Sequence, residues 1–179
     1  DSHLTGVDIQ EDHIELAKSN ALENDLSDRT DFHIQNIKDF NGTPFNHVIC
    51  NPPYMDSGHF KPSPSEGKSR ALFHDHDGTD LKDWLNCVHR NLKSGGTFTI
   101  IHRADQCDKI ILGLKRRYGA VEIIPLWPKS GQDAKRVIIR AIKDRKSPAK
   151  IHAGIVLHEE DGTYTKQAES ILRDMQALP

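Results

Sequence analysis

Short β-branched runs alternate with helix-period stretches along this chain, and that alternation restricts it to a sheet flanked by helices. Leu4 to Ile9 (LTGVDI) is a strand ending at Asp8. Glu11 to Asn24 follows as a helix, with Ile14, Ala17, Ala21 and Leu22 at helical spacing and acids in its first turn, where the dipole favours them. Thr30 to Ile34 and Phe45 to Cys50 are further strands. Asp80 to Leu92 carries one apolar stripe, Leu81, Trp84, Leu85, Val88 and Leu92, and Lys93-Ser94-Gly95-Gly96 ends it because glycine tolerates a left-handed cap. Thr97 to His102 is a strand, and Asp105 to Tyr118 is a helix with Cys107, Ile110, Ile111, Leu114 and Tyr118 on one face. Val121 to Leu126 and Arg136 to Ile142 have no helix between them, so they close the sheet as an antiparallel hairpin at one edge. The tail adds a strand near Ile155 to His158, a turn at Asp161-Gly162 and a helix from Thr165 to Met175. The expected class is α/β, with a mostly parallel sheet.

With 179 residues, 1–179 is expected to form a single domain with its own core. The 36% hydrophobic and 28% charged fractions match a soluble globular protein, and a net charge of −2 selects no partner by itself. Charge distribution is more informative. Lys115, Arg116, Arg117, Lys129, Lys135, Arg136, Arg140, Lys143, Arg145, Lys146 and Lys150 face only Glu122, Asp133 and Asp144 within that stretch. Such a run is either a solvated surface or a phosphate-binding face. No apolar run approaches the ~18 residues of a membrane span, and no signal peptide is visible, so a cytoplasmic location is expected. Cys50, Cys87 and Cys107 are far apart, form no CxxC pair and lie in apolar segments, which suits buried free thiols in a reducing compartment. Asn41-Gly42-Thr43 matches a glycosylation sequon, but Asn-Gly is first a turn signal.

The strand Phe45 to Cys50 stops at Cys50-Asn51-Pro52-Pro53-Tyr54. Two prolines lock φ and remove two backbone donors, and the residue before each is held extended. The Asn51 side chain and the local carbonyls are therefore preset as acceptors, which suits a small planar donor such as an amino group. The competing reading is a rigid strand-to-loop turn. In open α/β sheets ligands bind beyond the carboxyl ends of the strands, and Asp8, Asn36 and Asn51 all fall there. An acid at such a position commonly holds ribose hydroxyls, although an Asp before a helix is also an ordinary cap. Tyr54 to Gly78 is a long polar loop. Its His74-Asp75-His76 has no further ligand at metal-site spacing, so no metal is expected, and Lys68, Arg70 and His74 face a nucleic-acid phosphate or solvent.

Taken together, these segments resemble class I S-adenosylmethionine-dependent methyltransferases with an NPPY motif. Within them the chain is most similar to the bacterial tRNA1(Val) adenosine N6-methyltransferase-like proteins. The resemblance spans nearly the whole chain: GVDI at Gly6 to Ile9, ICNPPY at Ile49 to Tyr54, NLKSGGTF at Asn91 to Phe98, AKRVIIRA at Ala134 to Ala141, and VLHEEDGTYT at Val156 to Thr165. It implies a Rossmann-like methyltransferase sheet, mostly parallel with an antiparallel C-terminal hairpin. It implies S-adenosylmethionine as cofactor, with Asp8 on its ribose, Ile9 against its adenine, and Asn36 where the family usually has an Asp recognising the cofactor amino group. It implies that Asn51 and the Pro52 carbonyl accept both protons of the target amine, and that Tyr54 stacks on the extruded base. The expected reaction is methyl transfer to N6 of an adenine in RNA, a tRNA in the first place, as part of tRNA modification.

Two departures from that pattern matter. Asn36 can accept a hydrogen bond but carries no charge. The sequence begins at about the family's second strand, without the first strand and its Gly-rich loop, so a piece of a longer catalytic domain is expected, one that by itself binds S-adenosylmethionine poorly and is inactive. The same acceptors would serve a protein glutamine N5-methyltransferase acting on release factors, or a guanine N2 rRNA enzyme. An RNA-binding domain that keeps the fold without catalysis is the non-enzyme alternative.

Overall fold

A computed structural model describes residues 2–53 and 78–178. The chain parts into two compact units, Asp1–Gly42 and Thr43–Pro179.

In the first unit, β1 (Leu4–Asp8) and β2 (Thr30–Ile34) pair in parallel, with Leu4 opposite Thr30 and Asp8 opposite Ile34. The crossover is α1 (Glu11–Glu23), which buries Ile14 and Ala21. Gly6 has a packing reason: a Cβ there would sit 2.6 Å from the Phe32 ring on the neighbouring strand. Leu16 and Leu22 of α1 are more than half exposed, so the buried stripe of this helix is narrow.

The second unit holds a six-stranded sheet. Its members are β3 (Phe45–Cys50), β4 (Leu92–Arg103), β5 (Tyr118–Trp127), β6 (Arg136–Lys143), β7 (Lys150–Ile151) and β8 (Ile155–Val156). The order is β3-β4-β6-β5-β7, with β8 also on β5. The β3–β4, β5–β7 and β5–β8 pairs are parallel, and β6 runs antiparallel to both β4 and β5. The expected antiparallel pair is present, but β6 lies inside the sheet between β4 and β5 and not at an edge. Its sequence, RVIIRAIK, accounts for this, because Val137, Ile138, Ile139 and Ala141 are all buried, as a strand covered on both faces requires.

One face packs under α2 (Leu81–Asn91) and α3 (Cys107–Leu114), where Leu85, Val88, Phe98, Ile100, Ile110, Leu114 and Ile139 form the larger core. The other face buries Ile124, Leu126, Ile138 and Ile155 beneath Ile171 of α4 (Lys166–Arg173). α2 opens on a capping box between Asp80 and Asp83, and Thr165 caps α4 through the Ala168 amide. No described helix is long and apolar enough to cross a membrane.

Among the boundaries that differ from expectation, two change how the chain turns between elements. Helix α2 ends at Asn91, and Leu92 is already extended at φ −104 and ψ 135. Gly95, left-handed at φ 75, instead turns a bulge: Phe45 pairs with Leu92 but His47 pairs with Thr97, so Lys93 to Gly96 loop out of the ladder. Helix α3 stops at Leu114, and Tyr118, expected on its stripe, begins β5 while still packing against the same core.

Candidate functional site

The expected site residues fall into two groups, one in each unit. In the first, the parallel β1–β2 pair sends both carboxyl ends the same way, and the Gln35 amide donates to the Asp8 carbonyl at 2.9 Å. Asp8 Oδ1 accepts the Gln10 amide at 2.9 Å, an Asx-type turn that leads into α1. Its Oδ2 lies 3.4 Å from His13 Nδ1 and is partly exposed. A carboxylate has about four lone-pair sites, so these contacts leave acceptor capacity on Asp8. Ile9 is 39% exposed, an apolar surface next to that carboxylate. Asn36 lies two residues beyond the end of β2, and its Oδ1 accepts the Lys38 amide at 2.9 Å. The structure thus brings Asp8, Ile9 and Asn36 to one sheet edge.

In the second unit, Asn51 and Pro52 leave the carboxyl end of β3. Asn51 is exposed and Pro52 is buried, so the first proline is anchored while the asparagine faces outward. Tyr54, Lys68, Arg70 and His74-Asp75-His76 lie outside the described residues. The neighbouring strand runs parallel with Cys50 opposite Ile100, so the end of β4 accompanies Asn51-Pro52. Burial pushes the Cys50 thiol well above its ordinary range, with Cys87 adding to the effect, so this cysteine stays a protonated thiol beside the motif.

Three residues at that edge had no individual role legible in the sequence. His102 is buried at 6% exposure near the end of β4. Arg103 and Arg136 stand directly opposite each other across β4 and β6. The Arg103 guanidinium meets Asp105 with its Nε 3.0 Å from Oδ1, and these hydrogen bonds hold the Asp105 carboxyl below the usual range. A strand of the pattern TFTIIHR announces burial by alternation, but the pairing of its final arginine with Arg136 exists only once β6 is placed beside β4. At the opposite end of the sheet, Lys143 is another contact that only tertiary pairing creates. Its Nζ donates to the carbonyls of His89 and Leu92 at 2.7 Å each, closing the end of α2 with a cation.

Comparison with known proteins bears on this arrangement directly. The chain is 24% identical over 175 residues to a tRNA1(Val) (adenine(37)-N6)-methyltransferase of Vibrio campbellii, covering 97% of this chain and 70% of that protein. It is 26% identical over 167 residues to the protein of the same name in Aeromonas hydrophila, covering 92% and 68%. Among solved structures, a predicted O-methyltransferase from Agrobacterium tumefaciens superposes with a TM-score of 0.73 at 24% identity, over 97% of this chain and 78% of that one. A tRNA (m1A58) methyltransferase from Aquifex aeolicus gives 0.55 at 13% identity, over 80% and 54%. These likenesses establish the Rossmann-like class I methyltransferase fold. The family model described as a methyltransferase domain matches residues 1–141, and the chain belongs to that family.

Proposed function

We propose that this chain is the catalytic part of an S-adenosylmethionine-dependent methyltransferase acting on the exocyclic N6 amine of an adenine in tRNA. The observation that carries the reading is the placement of Asn51-Pro52 at the carboxyl end of β3, in a chain whose named relatives methylate that kind of amine. Asp8 would hold the ribose hydroxyls of the cofactor with Ile9 against its adenine, and Asn36 would accept a hydrogen bond from the cofactor amino group. The donor sets of these residues fit, since Asp8 keeps acceptor capacity and Ile9 offers apolar surface. A tRNA substrate places the reaction in the cytoplasm.

S-adenosylmethionine, when bound, supplies an electrophilic methyl carbon on a sulfonium. The protein's task is the nucleophile. An adenine amine is weak because its lone pair is delocalised into the ring. The Asn51 side-chain oxygen and the Pro52 carbonyl accept its two N–H bonds, which draws density onto nitrogen and directs the lone pair. With the lone pair so directed, these two acceptors would hold the nitrogen in line for the methyl group that the cofactor would supply, its sulfur keeping the electron pair of the transferred methyl. The alkylated amine is acidic and passes its proton to solvent, so no strong base is required. Positioning and fixed acceptors supply the acceleration. Tyr54 would stack on the base.

In the full-length, active methyltransferase, Asn51→Ala is expected to lower methyl transfer at least about 100-fold, the scale of losing one preorganised hydrogen-bonding group. Cofactor binding should be unchanged within about twofold, because the lost bond touches the target amine. Radiolabelled methyl transfer to tRNA, rRNA and release factor, with calorimetry for the cofactor, measures both. Preferential labelling of release factor would replace the adenine reading with glutamine N5 methylation.

A further inference from the structure

Two turns at the end of the six-stranded sheet remote from Asn51-Pro52 interlock. Lys115, Arg116 and Arg117 lead from α3 into β5, and Asp144, Arg145, Lys146 and Ser147 follow β6. Because β5 and β6 are antiparallel, with Tyr118 opposite Lys143, these turns meet at one corner. The Asp144 amide donates to the Arg117 carbonyl at 2.8 Å, and the Ala120 amide to the Ser147 carbonyl at 2.9 Å. The fit is close: a Cβ on Gly119 would stand 2.4 Å from the Arg145 carbonyl oxygen. Three non-glycine residues are left-handed here, Arg116 at φ 66, Ala120 at φ 49 and Asp144 at φ 61. Such backbone strain persists only where the surroundings over-determine it.

The corner is strongly basic. Lys115, Arg116, Arg145 and Lys146 are exposed, and among the described residues no ion pair engages them. Arg117 donates to Asn86 at 3.2 Å, and Asp144 is the only acid in the two turns. Desolvation first, then the nearby Lys143 and Arg117 cations, with Asp144 opposing, hold the His89 imidazole below its ordinary range. Surface cations on a loose loop spread apart; here the two turns that carry them are held together by backbone hydrogen bonds. That arrangement lowers the ordering cost of binding a polyanion.

Its place in the sheet sets the size of that polyanion. Cys50 is level with Ile100 and Ile139, and four residues of β6 separate Ile139 from Lys143. At about 3.3 Å per residue, the corner lies roughly 15–20 Å from the CNPP edge.

We propose that this corner docks the sugar–phosphate backbone of a folded RNA whose target base lies at the CNPP edge of the same sheet. This rests on the RNA reading above. A base in a short single strand reaches only the edge, whereas a whole tRNA reaches both.

The test uses the active methyltransferase and a combined Lys115→Gln, Arg145→Gln and Lys146→Gln variant, with a charge-reversed Glu version beside it. For whole tRNA, KM should rise about tenfold or more and its salt dependence should flatten, because fewer counterions are released. For a five-nucleotide strand carrying the target base, KM should stay within about twofold. Unaltered thermal unfolding guards against loss of fold, since these side chains make no described bond. Equal KM values for whole tRNA in parent and variants would overturn the docking surface and leave the methyltransferase reading intact. A parent protein that methylates no RNA would overturn both. Loss of binding to phosphatidylserine vesicles with unchanged tRNA KM would assign the corner to a lipid surface and overturn the proposal.

Discussion

Tyr118 illustrates how much one residue's chemistry depends on its neighbours. Its ring lies among Phe98, with centroids 6.0 Å apart, and His89, at 5.9 Å, and its hydroxyl is buried without a hydrogen-bond partner among the described residues. Desolvation pushes the phenol up to about 12 from an ordinary value of 10.0, with Arg117 opposing and Asp144 and Cys50 adding to it. The folded protein therefore keeps this proton where the unfolded chain has released it. Between about pH 10 and 12 the native state binds more protons, so stability falls as pH rises through that window and is fully present below it. Ultraviolet titration should show a phenol step near pH 12 that belongs to Tyr118. Tyr118→Phe should remove that late step and flatten the alkaline loss of stability. Ordinary ionisation near pH 10 in the folded protein would contradict this account. In the sequence, Tyr118 was legible only as an apolar member of a helical stripe. Its true element was hidden because α3 ends one turn earlier than its pattern continues.

At the level of elements, helix α2 depends on a side chain 51 residues from the carbonyl it closes. Lys143 Nζ donates to the carbonyls of His89 and Leu92 at this partly buried helix end, where helix carbonyls run out of intrahelical donors. Lys143→Met keeps the aliphatic stem and removes the donor. Hydrogen bonds to a charged group are worth about 1.5–3 kcal/mol, so a loss of about 2–3 kcal/mol is expected by urea denaturation followed by circular dichroism. A change below about 0.5 kcal/mol would show that solvent satisfies these carbonyls equally well. The sequence offered Gly95-Gly96 as the closure of this helix. Glycine does supply the left-handed residue, but the strand pairing of Leu92 with Phe45 competes for the chain first and moves the turn into β4.

Across the whole chain the buried apolar side chains are unevenly shared. Within Asp1–Gly42 the fully buried ones are Ile14, Ala21 and Ile37, while Leu4, Leu16, Leu22 and Ile34 are more than half exposed. Within Thr43–Pro179, Leu92, Phe98, Ile100, Ile110, Ile124 and Ile139 are almost wholly removed from water. A unit of about 40 residues with so small a core opens readily. Native-state hydrogen exchange should therefore show amides of β1 and β2 exchanging at least about 100-fold faster than those of β4 and β6. Equal protection would mean that the two units open as one cooperative body.

The class of fold and the candidate site residues were legible from local pattern alone. Alternation of periods 2 and 3.6 is local, so β1, β2 and β3 were legible from end to end. So was the Asn51-Pro52-Pro53 stop, because proline acts on its own φ and on the residue before it. Asp8 and Asn36 could be placed at strand ends for the same reason. Tertiary structure decided what depends on which strands meet. It placed β6 between β4 and β5, set Arg103 opposite Arg136, carried Lys143 to the end of α2, and gathered Lys115, Arg116, Arg145 and Lys146 into one corner. These contacts join residues distant in sequence. No local propensity encodes them, since they arise only when burial of the apolar faces selects one strand order.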